Sequence, residues 1–150
     1  MTTKVPLPEL TDRMSRFRAR MEAEHPRWQL AAIFSRVNQY YFAGTLQDGM
    51  LLVPRDAPAV FWVRRSFERA CAESLFPDIR PMKTFRDAAP SAPATRDVIH
   101  VEAEVVPLAL LERFRKHFPC RTVAALDAQL VRVRAVKSPY EISILERAGR

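Results

Sequence analysis

The strongest constraint on this chain is a series of short apolar runs, each bounded by turn residues and separated from the next by stretches of helical period. Trp28–Phe34 (WQLAAIF) has the length and bounds of a buried strand, and Met50–Val53, Ala59–Val63, Val98–Val101 and Arg121–Leu126 read as further short strands. Pro54-Arg55-Asp56-Ala57-Pro58 is short enough to make the second and third runs an antiparallel hairpin. The other connections leave room for crossovers between parallel neighbours. Leu10, Met14, Phe17 and Met21 recur at helical spacing with arginines on the other faces, so a helix is expected over about Pro8–Glu24, ended by His25-Pro26. Pro107–His117 reads as a helix with Leu108, Leu111 and Phe114 on one side. Ser66–Ser74 opens a third, with Ser66 as its cap in imperfect register. Strands alternating with helices, plus one hairpin, give an α/β domain: a mixed sheet of about five or six strands flanked by helices. A chain of 150 residues is long enough to bury a real core.

Other segments are less regular. Ser35–Gly49 (SRVNQYYFAGTLQDG) is polar and aromatic and holds two of the three glycines. It reads as a loop or distorted strand, with Gly44 at a position closed to side chains. Ile79–Phe85 is a weak strand whose Pro81 argues for a sheet edge. Arg86–Asp97, rich in Pro, Ala and Ser, reads as an exposed, mobile loop. Asp127 leads a helical or extended stretch into Val131–Lys137.

The last segment is the best-defined helix start. Ser138 is a good N-cap, Pro139 falls on the first helical position, and Glu141 can reach back to the cap's N–H. Ile144, Leu145 and Ala148 share a face, and Glu146 and Arg150 form an i,i+4 pair. About three turns are marginal alone. The expectation is a domain over residues 1–137 and, over 138–150, the start of a linker helix leading into a further unit. Ile144 and Leu145 should then be exposed, borrowed by a neighbouring molecule, or folded back.

The formal net charge of +7 raises the question of an anionic partner. The arginines are scattered (Arg13, Arg16, Arg18, Arg20, then Arg64 and Arg65, then Arg132 and Arg134), with no basic run interleaved with aromatics. Solvated faces are the expected reading, and nucleic acid is not an expected partner. No run approaches the roughly eighteen apolar residues of a membrane span. MTTKVPLPEL lacks a signal-peptide core, which points to the cytoplasm. Cys71 and Cys120 read as buried or partly buried free thiols. His25, His100 and His117 fall in no metal-ligand spacing, with His100 expected to face outward from its strand. Glu102 and Glu104 are the nearest thing to a carboxylate pair and read as solvated loop-edge residues. There is no nucleophile elbow, Walker loop or dinucleotide fingerprint. No catalytic or metal-binding residue is assigned.

Four features in this order carry a resemblance. They are Arg13–Met21 leading into Leu30–Phe34; the segment Asn38, Tyr41, Phe42, Gly44; the hairpin Met50–Val63; and the closing Arg134, Lys137, Ser138, Glu141, Ile142. Together the chain resembles the N-terminal domain of the creatinase/prolidase (Xaa-Pro peptidase) family. The resemblance implies a ribonuclease-H-like α/β domain followed by a pita-bread catalytic domain, which holds the metal ligands. A divalent metal pair (Mn, Co or Zn) would belong there, with no cofactor in these 150 residues. It also implies a homodimer in which this domain limits access to the partner's active site for a peptide with proline at its second position. Creatine-like substrates are an open alternative. By position, Asn38, Tyr41, Phe42, Trp62, Arg64 and Arg65 are the candidates for substrate access or dimer contact. Lys137, Ser138, Glu141, Ile144 and Leu145 are the interdomain candidates. The competing reading is a peptidase-like binding module for protein or nucleic acid, without catalysis.

Overall fold

A computed structural model describes residues 3–94 and 97–150. The elements run α1 (Leu7–Glu24), β1 (Leu30–Ile33), α2 (Arg36–Ala43), β2 (Gly49–Pro54), β3 (Val60–Val63), α3 (Phe67–Glu73), β4 (Ile79–Pro81), α4 (Phe85–Ala88), β5 (Val98–Val101), α5 (Leu108–His117), β6 (Thr122–Ala125), α6 (Asp127–Ala135) and α7 (Pro139–Ala148). One six-stranded sheet has the order β4-β3-β2-β1-β5-β6. β2 is antiparallel to both β1 and β3, while β1/β5, β3/β4 and β5/β6 are parallel. Every strand except β2 therefore points the same way. The carboxyl ends of β1, β3, β4, β5 and β6 share one edge, and β2 starts there.

The central strands are apolar on both faces because both are covered. Successive side chains alternate. Leu51, Val53, Phe61 and Val63 join Phe17, Met21, Trp28, Phe42, Leu126 and Leu130 on the face covered by α1, α2 and α6. Met50, Leu52, Val60 and Trp62 join Phe85, Ile99, Phe114 and Phe118 on the face covered by α4 and α5. The expected mixed sheet and hairpin are present, and β4 with its Pro81 is an edge strand. Gly49 is required by a close approach: a Cβ there would lie 2.1 Å from the Trp62 carbonyl oxygen.

Several expectations are corrected. The segment read as a loop or distorted strand folds as α2, stopped by Gly44 in the left-handed region at φ 72°. Its buried polar residues obscured the helical period. The loop expected over Arg86–Asp97 is helical at its start: α4 and a 3₁₀ turn at Ala89–Ser91 bury Ala88, and Phe85 belongs to this helix rather than to the strand before it. Thr95 and Arg96, within that loop, lie outside the described residues. Ser66 makes no capping hydrogen bond and sits at φ 59°. Of the two readings open for the stretch after Asp127, the helical one holds. Leu108 is 71% exposed, because α5 packs through Phe114 instead. Cys71 is exposed. His100 points into the protein, since both faces of its strand are covered.

Candidate functional site

Two polar constellations each include some of the residues named above. The first joins α1, α2, α6 and α7 around Arg13. Arg13 shares the buried stripe of α1 with Leu10, Phe17 and Met21. Its Nε donates to Glu9 Oε1 at 2.9 Å and its Nη1 to the Tyr41 carbonyl at 2.8 Å, and its guanidinium lies 4.5 Å from the Tyr41 ring centroid. Its Nη2 lies 3.6 Å from Glu141 Oε1. One turn on, Arg16 donates to the carbonyls of Val133 and Val136 and to the Tyr41 hydroxyl. Burial raises the Tyr41 phenol above its ordinary value, with Arg16 opposing and Glu141 adding.

The start of α7 is tied into this seam. Ser138 Oγ accepts from the Glu141 N–H, and Glu141 Oε2 accepts from the Ser138 N–H, completing the expected capping box. Ser138 Oγ also donates to Glu9 Oε1 at 2.7 Å, which anchors α7 to α1. Lys137 Nζ donates to the Arg134 carbonyl. Beyond this first turn α7 buries nothing: Ile142, Ile144 and Leu145 are 46%, 40% and 59% exposed.

The second constellation lies at the shared carboxyl edge of the sheet. Glu102, just past β5, is wholly buried. It accepts from the backbone N–H groups of Phe34 (2.5 Å) and Ser35 (2.8 Å) and from Asn38 Nδ2 (2.5 Å). Asn38 Oδ1 in turn accepts from Arg134 Nη1 at 3.1 Å. Glu102 is thus the anion at the approach to α2, not a solvated loop-edge residue; Glu104 alone of that pair is exposed. Gln39 Nε2 donates to the carbonyls of Ile33 and Gly49, joining the end of β1 to the start of β2. These bonds explain why polar residues occupy the buried face of α2.

The named candidates divide accordingly. Asn38 and Tyr41 are network members, and Phe42 is fully buried core. The exposed residues of α2 are Arg36, Val37 and Tyr40. Trp62 is buried on the opposite face, with Arg80 5.5 Å from its ring centroid. Arg64 and Arg65 follow β3 in solvent. The structure therefore brings Asn38, Tyr41, Ser138 and Glu141 onto one side and leaves Trp62 and Arg64 apart from them. Sequence reasoning missed Arg13, Gln39 and Glu102. Arg13 had a signal, since it lies three residues after Leu10 and four before Phe17, on the apolar stripe itself. Glu102 had none, because its partners are more than sixty positions away.

Away from both networks, the His25 and His100 rings lie tilted against each other with centroids 4.7 Å apart, and neither His25 Nε2 nor His100 Nδ1 has a partner among the described residues. Burial, reinforced by His25, pushes the His100 imidazole down to about 4. Among the described residues, no three His, Cys, Asp or Glu side chains stand together so as to hold a metal ion. No described helix is long and apolar enough to cross a membrane.

Comparison with known proteins places this architecture. The Creatinase/Prolidase N-terminal domain family matches residues 13–136. No curated protein matches. Among solved structures, a prolidase from Pyrococcus horikoshii is 21% identical with a TM-score of 0.76, covering 91% of this chain and 39% of that one. A prolidase from Pyrococcus furiosus is 25% identical (TM-score 0.74, 90% of this chain and 42% of that one). A Bacillus anthracis Xaa-Pro dipeptidase shares the fold at 14% identity (TM-score 0.77, 92% and 39%). The chain spans about two-fifths of the length of these proteins.

Proposed function

The chain belongs to the creatinase/prolidase N-terminal domain family, and from that membership we propose that it is the non-catalytic N-terminal domain of a metal-dependent hydrolase acting on Xaa-Pro bonds. Its work is dimerisation and control of access to the partner's active site. The observation that carries this reading is α7. Its first turn is fixed to the domain through Ser138, Glu141, Glu9 and Arg13, while Ile142, Ile144 and Leu145 remain uncovered. A helix rigidly launched but apolar on its free side is suited to pack against a following catalytic domain. Lys137 and Ser138 set its direction.

In the same reading, Asn38, Tyr41 and Phe42 hold α2 in place, so that exposed Arg36, Val37 and Tyr40 make the outward contacts. Arg64 and Arg65, with Trp62 buried behind them, offer a second contact at the same sheet edge. The described residues do not fit a metal pair, so this reading assigns Mn, Co or Zn to the catalytic domain of the parent protein.

The test has two arms. The 150-residue chain supplied with Mn²⁺ should not hydrolyse Xaa-Pro dipeptides. In the parent protein, the Ile144→Asp/Leu145→Asp double variant should lower kcat/KM and expose the interdomain linker to protease. Hydrolysis by the chain alone, or full activity in the double variant, would contradict the proposal.

A further inference from the structure

On the α4/α5 face of the sheet lies a cavity of about 300 Å³. Four permanent cations converge on it from three parts of the chain: Arg64 after β3, Lys83 between β4 and α4, and Arg113 and Lys116 on α5. Met82 and Phe85 form its apolar floor. No carboxylate lines it among the described residues. The nearby Asp87 accepts from the backbone N–H groups of Lys83 and Thr84, and those bonds, aided by the Lys83 and Arg86 charges, hold its carboxyl below the ordinary value.

The four cations differ from the arginines that are tied into the fold. Arg13, Arg16, Arg18, Arg55, Arg69, Arg80 and Arg132 all donate to carboxylates or carbonyls. The side chains of Arg64, Lys83, Arg113 and Lys116 make no ion pair or hydrogen bond among the described residues. Four like charges around one concavity repel one another, and low-dielectric walls concentrate their field. An anion bound among them would relieve that repulsion.

We propose that this cavity binds a small soluble anion carrying phosphate groups. Phosphate concentrates charge on oxygens that two guanidinium forks and two ammonium groups can meet from several directions. The volume suits a small molecule, and the Met82–Phe85 floor would take its apolar part. A planar carboxylate would leave part of the ring of cations unmet. A bound phosphate would tie α5 to the turn between β4 and α4.

The probe is inorganic pyrophosphate, titrated into the ¹⁵N-labelled chain at constant ionic strength. Saturable shifts are expected at Arg64, Lys83, Thr84, Arg113 and Lys116. The Arg113→Ala/Lys116→Ala variant should bind about tenfold more weakly. The Arg36→Ala/Arg147→Ala variant removes the same charge from exposed sites elsewhere and should bind within about twofold of the parent chain. Shifts that do not saturate, or equal weakening in both variants, would overturn the proposal. So would a tri-glutamate peptide that binds these residues as tightly as pyrophosphate. Co-sedimentation with phosphatidate vesicles that is lost in Arg113→Ala/Lys116→Ala would move the phosphate source from a soluble molecule to a lipid headgroup, and so would also overturn it.

Discussion

Two groups of basic residues on opposite faces of the sheet are used in different ways. On the α1/α2/α6 face, Arg13, Arg16 and Arg18 end on carbonyls contributed by distant segments, and Arg13 and Arg16 also on carboxylates of their own helix. On the α4/α5 face, Arg64, Lys83, Arg113 and Lys116 surround a cavity that no carboxylate lines among the described residues. The difference lies in what the topology delivers. The first face gathers chain ends, where helix C-termini and strand exits leave carbonyls without partners, and a guanidinium fork satisfies several at once. The second face gathers the middle and last turn of α5 and the exits of two strands, and there Arg64, Lys83, Arg113 and Lys116 donate to no carbonyl among the described residues. Net charge alone therefore says little about function here; the pairing of each charge does.

The comparison can be broken first at Arg13. Arg13→Ala leaves Glu9, Glu141 and the Tyr41 carbonyl without their buried partner and should cost about 4 kcal/mol in denaturant unfolding. A loss as small as a surface substitution would make the seam incidental. Next is the His25–His100 pair. The His100 imidazole titrates at about 4 in the folded chain, below its ordinary 6.5, so the unfolded chain takes up this proton first. The contribution is complete above about pH 6.5 and falls as pH drops towards 4, by on the order of 3 kcal/mol at most. It is read as the difference between the parent chain and His100→Leu, which lacks this titration. If both show the same pH slope, His100 does not titrate as described.

Smaller effects sharpen the contrast. Glu102→Ala removes the acceptor of the Phe34 and Ser35 N–H groups and of Asn38 Nδ2 and should cost about 2 kcal/mol. Hydrogen exchange at those two amides should rise with it, and unchanged protection there would show that the carboxylate does not hold the start of α2. Ser138→Ala removes a cap and the bond to Glu9 and should cost about 1 kcal/mol, with α7 fraying seen by amide exchange. Arg113→Ala should change stability by less than about 0.5 kcal/mol or raise it slightly, since it removes repulsion and breaks no bond. A loss comparable with that of Arg13→Ala would erase the distinction between the faces.

Much of the fold was legible in the sequence, because its signals are local. The LAAI and VIHV runs, the Pro-bounded hairpin and the Ser138–Glu141 cap each announce themselves within a few residues. α2 was illegible for a physical reason. Asn38 and Gln39 face inward to serve Glu102 and the carbonyls of Ile33 and Gly49, so polar residues fill buried positions and the apolar period is lost. The overall family was legible from the order of weak motifs. The seam was half legible: Ser138 and Glu141 were read as a cap, but their attachment to Glu9 and Arg13 depends on contacts spanning most of the chain. The basic cavity was not legible, since Arg64, Lys83, Arg113 and Lys116 are scattered until β3, β4 and α5 assemble.

One spectrum addresses the contrast directly: arginine side-chain ¹⁵N–¹H NMR, recorded with and without pyrophosphate. The account predicts slowly rotating guanidinium groups with separate Nη signals for Arg13 and Arg18, unmoved by pyrophosphate. Arg64 and Arg113 should give averaged signals that shift and slow when pyrophosphate is added. A restrained Arg113 in the free chain, or equal shifts across both sets, would contradict it.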